Sequence, residues 1–155
     1  MTTLPLVRRF AAQDGPDCWA VFVAAVRIGA AGHYNPEELA DWLPNDTYPD
    51  GYADWLAGEI TFVAEQDGII GFAMMNRDCY LDLLFVMPDY RGSGLANRLC
   101  DALVEQARAL GLRRMTVKAS RLAERFLARQ GWRPSLDPDG AELKDTMSRH
   151  MEVDL

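Results

Sequence analysis

The sequence has few residues that bind metals or form disulfides. Its three cysteines, Cys18, Cys79 and Cys100, are odd in number and have no Cys-x-x-Cys spacing, and its two histidines, His33 and His150, are far apart. Zinc sites and disulfide frameworks need closely spaced sets of such residues. The sequence therefore predicts no metal site and no disulfide-stabilised fold, and Cys79 and Cys100 are expected to be small buried residues.

Long apolar runs are also missing. No run approaches the roughly 20 residues of a membrane-spanning helix, and the start MTTLPLVRRF lacks the apolar core of a secretory signal. We therefore expect a cytoplasmic protein without a membrane partner. With 49% hydrophobic and 25% charged residues, the 155-residue chain has the composition of an ordinary globular protein and the length of a single domain, residues 1–155.

Positive charge is absent from residues 28–76, which contain nine acidic residues and no Lys or Arg. Residues 113–133 show the reverse, with seven Lys or Arg and one Glu. The acidic stretch repels nucleic acid, so no nucleic-acid partner is expected. Charge alone is equally consistent with two solvated surfaces and with an anion site at one end and a cation site at the other.

Periodicity and turn residues predict an α+β fold with a mixed sheet. A first helix is expected from an N-cap at Asp14 to Gly29, and Asn35-Pro36-Glu37-Glu38 is typical of the start of a second. Asp67-Gly68 predicts a hairpin turn. The expected elements are strand 6–10, helices 14–29 and 35–43, a short helix at 55–58, strands 60–66, 69–75 and 80–86, helix 95–110, strand 115–119, helix 123–130 and a strand around 147–153. The helical crossover makes strands 80–86 and 115–119 parallel.

The loop before helix 95–110 has the sequence YRGSGLA, residues 90–96. Its glycines let main-chain N–H groups converge, and the following helix adds unpaired N–H groups and a positive dipole end, which suits a phosphate or diphosphate. A tight turn without a ligand fits the same pattern equally well. The loop lacks the lysine of a P-loop, the third glycine of a dinucleotide-binding loop and the spacing of a nucleophile elbow.

Residues 91–96, RGSGLA, match the Arg/Gln-x-x-Gly-x-Gly/Ala signature of the GNAT superfamily of N-acetyltransferases, which the chain resembles. LDLLFVMPDYRGSGLANRLCDALVEQARALG is similar to that family's fourth strand, diphosphate loop and third helix, and ASRLAERFLARQGW to its closing strand and helix. HYNPEELADWL and FVAEQDGIIGFA resemble its small bacterial YafP-like branch. The resemblance implies the GNAT (acyl-CoA N-acyltransferase) fold, a mostly antiparallel mixed sheet of about six or seven strands flanked by about four helices, with a splayed parallel pair of fourth and fifth strands.

The resemblance implies acetyl-CoA as co-substrate, bound where the two parallel strands splay apart, and no metal. Main-chain N–H groups of residues 91–96 would hold its diphosphate, and main-chain groups of residues 84–86 would pair with its pantetheine arm. Arg121 or Arg125 would reach the nucleotide phosphates. The implied cofactor-binding residues are Leu84, Phe85, Val86, Arg91, Gly92, Ser93, Gly94, Leu95, Ala96, Ser120 and Phe126.

Acetyl transfer to an amine poses two proton problems. An alkyl ammonium has a pKa of about 10 and must lose a proton, and the leaving thiolate, whose thiol has a pKa of about 8.5, benefits from an acid. Asp82 is the expected base, because partial desolvation in the apolar run YLDLLFVM raises the pKa of a carboxylate. The two-residue period of a strand places it on the face of Leu84 and Val86. The alternative is a strand aspartate bonded to a nearby partner.

The chain departs from the family at Leu127. Many members have a tyrosine directly after the phenylalanine that matches Phe126, and it donates a proton to the leaving thiolate. Ser120, Tyr80 and Tyr34 are possible substitutes, of which Ser120 is taken as the catalytic candidate. Loss of the acid would slow turnover without abolishing it, since a thiolate is a tolerable leaving group.

By resemblance, the acceptor site lies between the first two helices and the loop before the second strand. The ring-bearing residues of this region are His33, Tyr34, Trp42, Tyr48, Tyr52 and Trp55. Core packing is the common role of such residues, and an aromatic, negatively charged pocket for a cationic or planar amine is the alternative. Tyr34 and Trp42 are the expected acceptor contacts.

These observations predict an N-acetyltransferase, monomeric or homodimeric, that transfers acetyl from acetyl-CoA to a primary amine of a small molecule by direct attack in a ternary complex. Two alternatives remain. A sensor that binds acyl-CoA without turnover is favoured by the leucine at 127, and a protein-interaction module is favoured by the acidic aromatic region.

Overall fold

The computed structural model describes residues 4–136, 138–143 and 148–155. These residues form five α-helices and one seven-stranded sheet. The helices are α1 (Gly15–Ala24), α2 (Pro36–Trp42), α3 (Tyr52–Gly58), α4 (Leu95–Ala109) and α5 (Arg121–Arg129). The strands are β1 (Leu6–Arg9), β2 (Ile60–Glu65), β3 (Ile69–Met75), β4 (Tyr80–Val86), β5 (Arg114–Ser120), β6 (Arg133–Pro134) and β7 (Ser148–Asp154).

The sheet has the order β1-β2-β3-β4-β5-β7-β6, and β4 with β5 is its parallel pair. The other neighbours are antiparallel, which confirms the predicted mixed, mostly antiparallel sheet. The hairpin between β2 and β3 is also confirmed. Its turn residues have positive φ, 54° at Asp67 and 115° at Gly68, as a tight hairpin requires.

The parallel strands are joined over a short distance. Tyr80 pairs with Thr116 and Leu81 with Val117, and the pairing of β4 with β5 ends there. Beyond Leu81, β4 follows β3 as far as Val86, whereas β5 pairs with β7 along its whole length. The two parts of the sheet therefore diverge toward the end of β4 and leave a wedge between them, as the family resemblance implied.

The hydrophobic core occupies both faces of the sheet. Along β3, Ala73 and Met75 belong to the cluster under α4, and Phe72 and Met74 to the cluster under α1 and α3. This alternation is the two-residue period of a strand buried on both sides. The three cysteines are buried and unpaired, as expected for Cys79 and Cys100.

Helix starts and ends agree with the sequence in part. Asn35 and Glu38 form the predicted reciprocal cap of α2: the Glu38 amide donates to Asn35 Oδ1 (2.8 Å) and the Asn35 amide to Glu38 Oε1 (3.0 Å). The first helix does reach Gly29, but its last part, Ala25–Gly29, is a π-helical turn. Such turns are rare and occur frequently at functional sites.

At the chain's end, β7 begins at Ser148, and the expected start at Met147 lies outside the described residues. The short strand β6 was not predicted. Within the ranges given above, no helix is long and apolar enough to cross a membrane, and the longest, α4, has 15 residues.

Asp14 precedes α1, as predicted, but its carboxylate does not cap that helix. It accepts two hydrogen bonds from the Arg8 guanidinium (2.8 and 3.0 Å) and one from the Ala11 amide (2.8 Å). Arg8 also donates to Glu65 (2.7 Å), and Asp14 is 5% exposed. The bonds from Arg8 and then from Ala11 hold the pKa of Asp14 below its usual range. The carboxylate thus joins β1 to the turn that follows it.

We expect Asp14→Asn to lower the free energy of unfolding by about 2 kcal/mol at pH 7, because it leaves Arg8 with one anionic partner. Since folding lowers the pKa of Asp14, this stabilisation is present above the unfolded value of about 3.9 and is lost as the pH falls through the folded value. Urea denaturation from pH 7 to pH 2 measures both effects. Glu65→Gln is the control; this side chain is 42% exposed, and its loss should cost less than about 1 kcal/mol. Equal losses in the two variants, or a difference independent of pH, would contradict the assignment.

Candidate active site

The wedge between β4 and β5 opens into a cavity of about 700 Å³, here called the first cavity. The end of β4, the loop at residues 90–96, the start of α4 and one side of α5 form its walls. All of the cofactor-binding residues expected from the family resemblance line it except Ser93. The fold therefore brings residues 84–97 together with residues 120–130, which are α5 and its cap residues.

The end of β4 presents free main-chain groups to the first cavity. The Met87 amide, just past β4, donates to the Ile70 carbonyl of β3 (2.8 Å). Because main-chain groups of successive residues point to opposite sides of a strand, those of Phe85 also face β3, and those of Leu84 and Val86 face the wedge. Phe85 contributes its side chain to the cavity wall instead.

Half of the amides in the loop at 91–96 are used inside the loop. The amides of Arg91, Ser93 and Leu95 donate to Pro88 O, Tyr90 O and Ser93 Oγ, respectively. The amides of Gly92, Gly94 and Ala96 have no such acceptor in the described part of the chain, nor has that of Asn97 in the first turn of α4. Four amides at this loop and helix start are therefore left for an anion, and the expectation that the amides of residues 91–96 hold a diphosphate stays a prediction.

The two glycines of this loop are needed for its shape. Gly92 has φ 78° and Gly94, the N-cap residue of α4, has φ 87°. Side chains other than glycine rarely adopt this left-handed conformation. Nothing lies within 4 Å of the position of a Cβ at either residue, so both border open space.

Arg91 ties the loop to the π-helical turn. Its Nη1 donates to the Gly29 carbonyl at 2.6 Å, and Gly29 and Ala25 also line the first cavity. The guanidinium thus supplies a positive charge at the cavity wall and fixes the position of the chain that leads to α2.

A second cavity, of about 720 Å³, is lined by residues of α1, α2, β4, β5 and α5. Tyr34, Trp42, Asp82 and Leu127 are in its wall. Five residues line both cavities, and they mark the place where the two meet. They are Trp42, Leu84, Phe85, Ser120 and Ala123.

Asp82 lies at an irregularity in β4. Met74 of β3 pairs with Leu83 and Met75 with Leu81, so Asp82 is an extra residue, a β-bulge. Leu81 and Leu84 consequently pack in the same core cluster, and the strict alternation is interrupted. The prediction that Asp82 shares the face of Leu84 and Val86 is therefore wrong. Bulges re-aim side chains, and this one lies beside the second cavity.

The carboxylate of Asp82 is exposed at that cavity. Partial desolvation and, second, the negative charge of Glu59 raise the pKa of Asp82 above its usual value, in the direction expected from the sequence. No hydrogen-bond or ion-pair partner of Asp82 occurs in the described ranges, so the alternative of a strand aspartate bonded to a neighbour receives no support.

The aromatic residues of the acidic stretch divide into two groups. Tyr34 and Trp42 line the second cavity and pack edge to face, with ring centroids 5.5 Å apart. Tyr48, Tyr52 and Trp55 instead contact one another around α3, away from both cavities, and His33 is exposed. The two expected acceptor contacts are thus adjacent, and the other rings serve core and surface packing.

Residues 30–151 match the family described as the acetyltransferase (GNAT) domain. The chain belongs to the GNAT acetyltransferase family. This acetyltransferase is 30% identical over 127 residues to the uncharacterized N-acetyltransferase YafP of Escherichia coli (strain K12), with 81% of this chain and 79% of the relative covered. The match confirms the predicted family and its YafP-like branch, and the chain is an N-acetyltransferase.

Solved structures confirm the fold of the acetyltransferase. A GCN5-related N-acetyltransferase from Rhodopseudomonas palustris has a TM-score of 0.83 and 28% identity, with 100% of this chain and 98% of that chain covered. The PaiA N-acetyltransferase from Thermoplasma acidophilum, solved in complex with coenzyme A, has a TM-score of 0.79 and 16% identity with complete coverage of both chains. These similarities agree with the seven-stranded sheet and its splayed strands.

The arginines of the acetyltransferase differ from the sequence expectation. Arg121 is bonded to Glu38 (2.6 Å) and lies over the Tyr34 ring, 4.3 Å from its centroid, and Arg125 does not line the first cavity. Arg129, one turn further along α5, lines it, together with Asn97. Sequence reasoning missed both. Arg125 and Arg129 are four residues apart and share a face of α5, so their spacing in the sequence cannot tell which of them reaches the cavity.

The remaining candidate residues have local roles. Ser120 is the N-cap residue of α5, and its Oγ accepts from the Ala123 amide (3.2 Å). Ser93 bonds to Tyr90 O within the loop. Tyr80 stands at the start of β4, outside both cavities. Within the described ranges, no three His, Cys, Asp or Glu side chains are placed to share a metal ion.

Proposed function

We propose that this acetyltransferase binds acetyl-CoA in the first cavity and transfers its acetyl group to a primary amine of a small molecule held in the second. The observation that supports this most directly is the shared wall of the two cavities, formed by Trp42, Leu84, Phe85, Ser120 and Ala123. A thioester in the first cavity and an amine in the second would meet there. Direct attack in a ternary complex follows, without a covalent enzyme intermediate.

The first cavity suits the two polar parts of the donor. The free amides of Gly92, Gly94, Ala96 and Asn97 and the N-terminus of α4 would hold the diphosphate. The wedge-facing main-chain groups of Leu84 and Val86 would pair with the amides of the pantetheine arm, as an added strand does. The expected contacts of Ser120 and Phe126 with the thiol end agree with their position in the cavity wall.

The second cavity suits an amine. Within the described ranges no cation is bonded to Asp82, which lies in the wall with Tyr34 and Trp42, so it can accept a proton from an ammonium, directly or through water. Aromatic rings favour a cationic or planar body through cation–π and stacking contacts. We therefore retain Asp82 as base and Tyr34 and Trp42 as acceptor contacts.

Calorimetric titration with acetyl-CoA, followed by a thiol-release assay across a panel of alkyl, aryl and peptide amines, tests the function. Saturable binding and amine-dependent release of free thiol are expected. Binding without release from any amine would favour a sensor, and absence of binding would favour an interaction module. Gel filtration of the same sample distinguishes the monomer from the homodimer.

A further inference from the structure

When the thioester breaks, coenzyme A leaves as a thiolate at the junction of the two cavities. What is inferred here about that thiolate rests on the proposed function. The conjugate thiol has a pKa of about 8.5, so a nearby group that donates a proton assists the break. Such a group must carry a proton at neutral pH and lie in a cavity wall. The hydroxyl-bearing residues there are Tyr34, Tyr90, Ser120 and Ser148.

Three of these hydroxyls are poorly suited. The Tyr90 hydroxyl donates to Gln66 Oε1 (3.1 Å), so its proton is already engaged. Ser120 and Ser148 have aliphatic hydroxyls, which are far weaker acids than a phenol, whose pKa is about 10. Ser120 in addition uses its oxygen as the cap of α5. Among the hydroxyls, Tyr34 remains.

Tyr34 is held with its proton free. It is 5% exposed, and the Leu122 amide, in the first turn of α5, donates to its Oη (3.4 Å). Arg121 covers one side of the ring and Trp42 meets its edge. Because the oxygen accepts from an amide, its hydrogen must point elsewhere, and no acceptor for that hydrogen occurs in the part of the chain that the structure describes.

The hydroxyl is also close to the junction. Tyr34 lines the second cavity together with Ser120 and Ala123, which line both. Its oxygen is anchored to Leu122, which lies between those two residues in the chain and itself lines the first cavity. The positive end of α5 and the guanidinium of Arg121 would stabilise the phenolate that remains after the proton has left.

We propose that Tyr34 donates its phenolic proton to the sulfur of coenzyme A as the thioester breaks. The amine nitrogen forms the C–N bond, and the C–S bond breaks with its electron pair on sulfur, which takes the proton from Tyr34. The nitrogen releases its extra proton to Asp82 or water, and the phenolate regains a proton from solvent. No oxidation or reduction is involved, and Tyr34 thereby has a role in the donor half of the reaction as well as in acceptor contact.

Tyr34→Phe tests the assignment, with kcat measured at pH 7 at saturating acetyl-CoA and an amine accepted by the wild type. A fall of about 100-fold in kcat is expected, at the low end for a general acid. The KM for acetyl-CoA should stay within about twofold, because the variant keeps the ring and loses only the proton donor.

Tyr52→Phe is the matched control, since it removes a hydroxyl from an equally buried tyrosine outside both cavities. It should leave kcat within about twofold. Equal kcat in Tyr34→Phe and the wild type would overturn the role of Tyr34 alone. A wild type that binds acetyl-CoA but releases no thiol would overturn the transfer function together with it.

Discussion

Replacement of Gly94 by glutamate should weaken the binding of coenzyme A by about 1,000-fold, equivalent to about 4 kcal/mol. Gly94 has φ 87°, which costs about 1–2 kcal/mol for another residue. Open space lies at its Cβ position, so the new carboxylate would extend into the first cavity beside the free amides. There it would occupy the anion site and repel the diphosphate. Calorimetric titration with coenzyme A measures the loss.

Gly51→Glu is a close control for this variant. Gly51 also has positive φ (77°), is the N-cap residue of a helix, α3, and has nothing within 4 Å of its Cβ position. It does not line the first cavity. Backbone strain and the charge at a helix N-terminus are thus reproduced away from the site, so Gly51→Glu should lose stability but retain affinity. Unchanged affinity in Gly94→Glu would show that the loop does not hold the diphosphate.

Asp82→Asn should lower kcat for an alkyl amine by about 100-fold at pH 7, because the ammonium loses the carboxylate proposed to take its proton. An aryl amine is already neutral at this pH, so its kcat should change by less than about threefold. The wild-type profile should also show an acidic limb, above the usual aspartate value of about 3.9, because folding raises the pKa of Asp82. The limb should be absent in Asp82→Asn.

Glu59→Gln tests how far a neighbouring charge sets the pKa of Asp82. The negative charge of Glu59 contributes to the raised pKa of Asp82, so its removal should move the acidic limb to lower pH and leave the plateau of kcat unchanged. Asp101→Asn, on the exposed side of α4, controls for loss of a carboxylate outside both cavities. Equal losses with alkyl and aryl amines would exclude Asp82 as base.

The same pKa direction predicts the effect of this substitution on stability. A carboxylate whose pKa rises on folding binds its proton more tightly in the folded state than in the unfolded state. Its ionisation therefore lowers the free energy of unfolding as the pH rises through its folded-state pKa. Asp82→Asn should therefore unfold at the same temperature as the wild type, or at a slightly higher one. A marked loss of stability would indicate a structural role for the carboxylate.

Features set by neighbouring residues were predictable from the sequence. The Asp67-Gly68 turn and the Asn35 cap depend on residues within a few positions of each other, and both are present. The parallel pairing of β4 and β5 followed from the single helical crossover between them. The loop before α4 could be located because its glycines and the helix start are contiguous.

Features that depend on packing between distant residues could not be predicted from the sequence. The bulge at Asp82 is a shift in the pairing register of β3 and β4, which neither strand shows alone. Arg121 is neutralised by Glu38, 83 residues away, which leaves Arg129 as the arginine of α5 at the first cavity. Likewise, only the placement of α2 and α3 separates Tyr34 from Tyr52.

The divergence of β4 and β5 gives the sheet an interior edge in addition to those of β1 and β6. Exposed edges invite pairing with strands of other molecules and hence aggregation. This edge lies inside the sheet, because β5 pairs with β4 at Tyr80 and Leu81 and so flanks it. An added β-strand needs a spacing of about 4.8 Å to each neighbouring strand, and it needs room for its side chains. A thin, unbranched chain fits this wedge far better. The fold can therefore leave main-chain hydrogen-bonding groups unpaired at its centre without promoting aggregation.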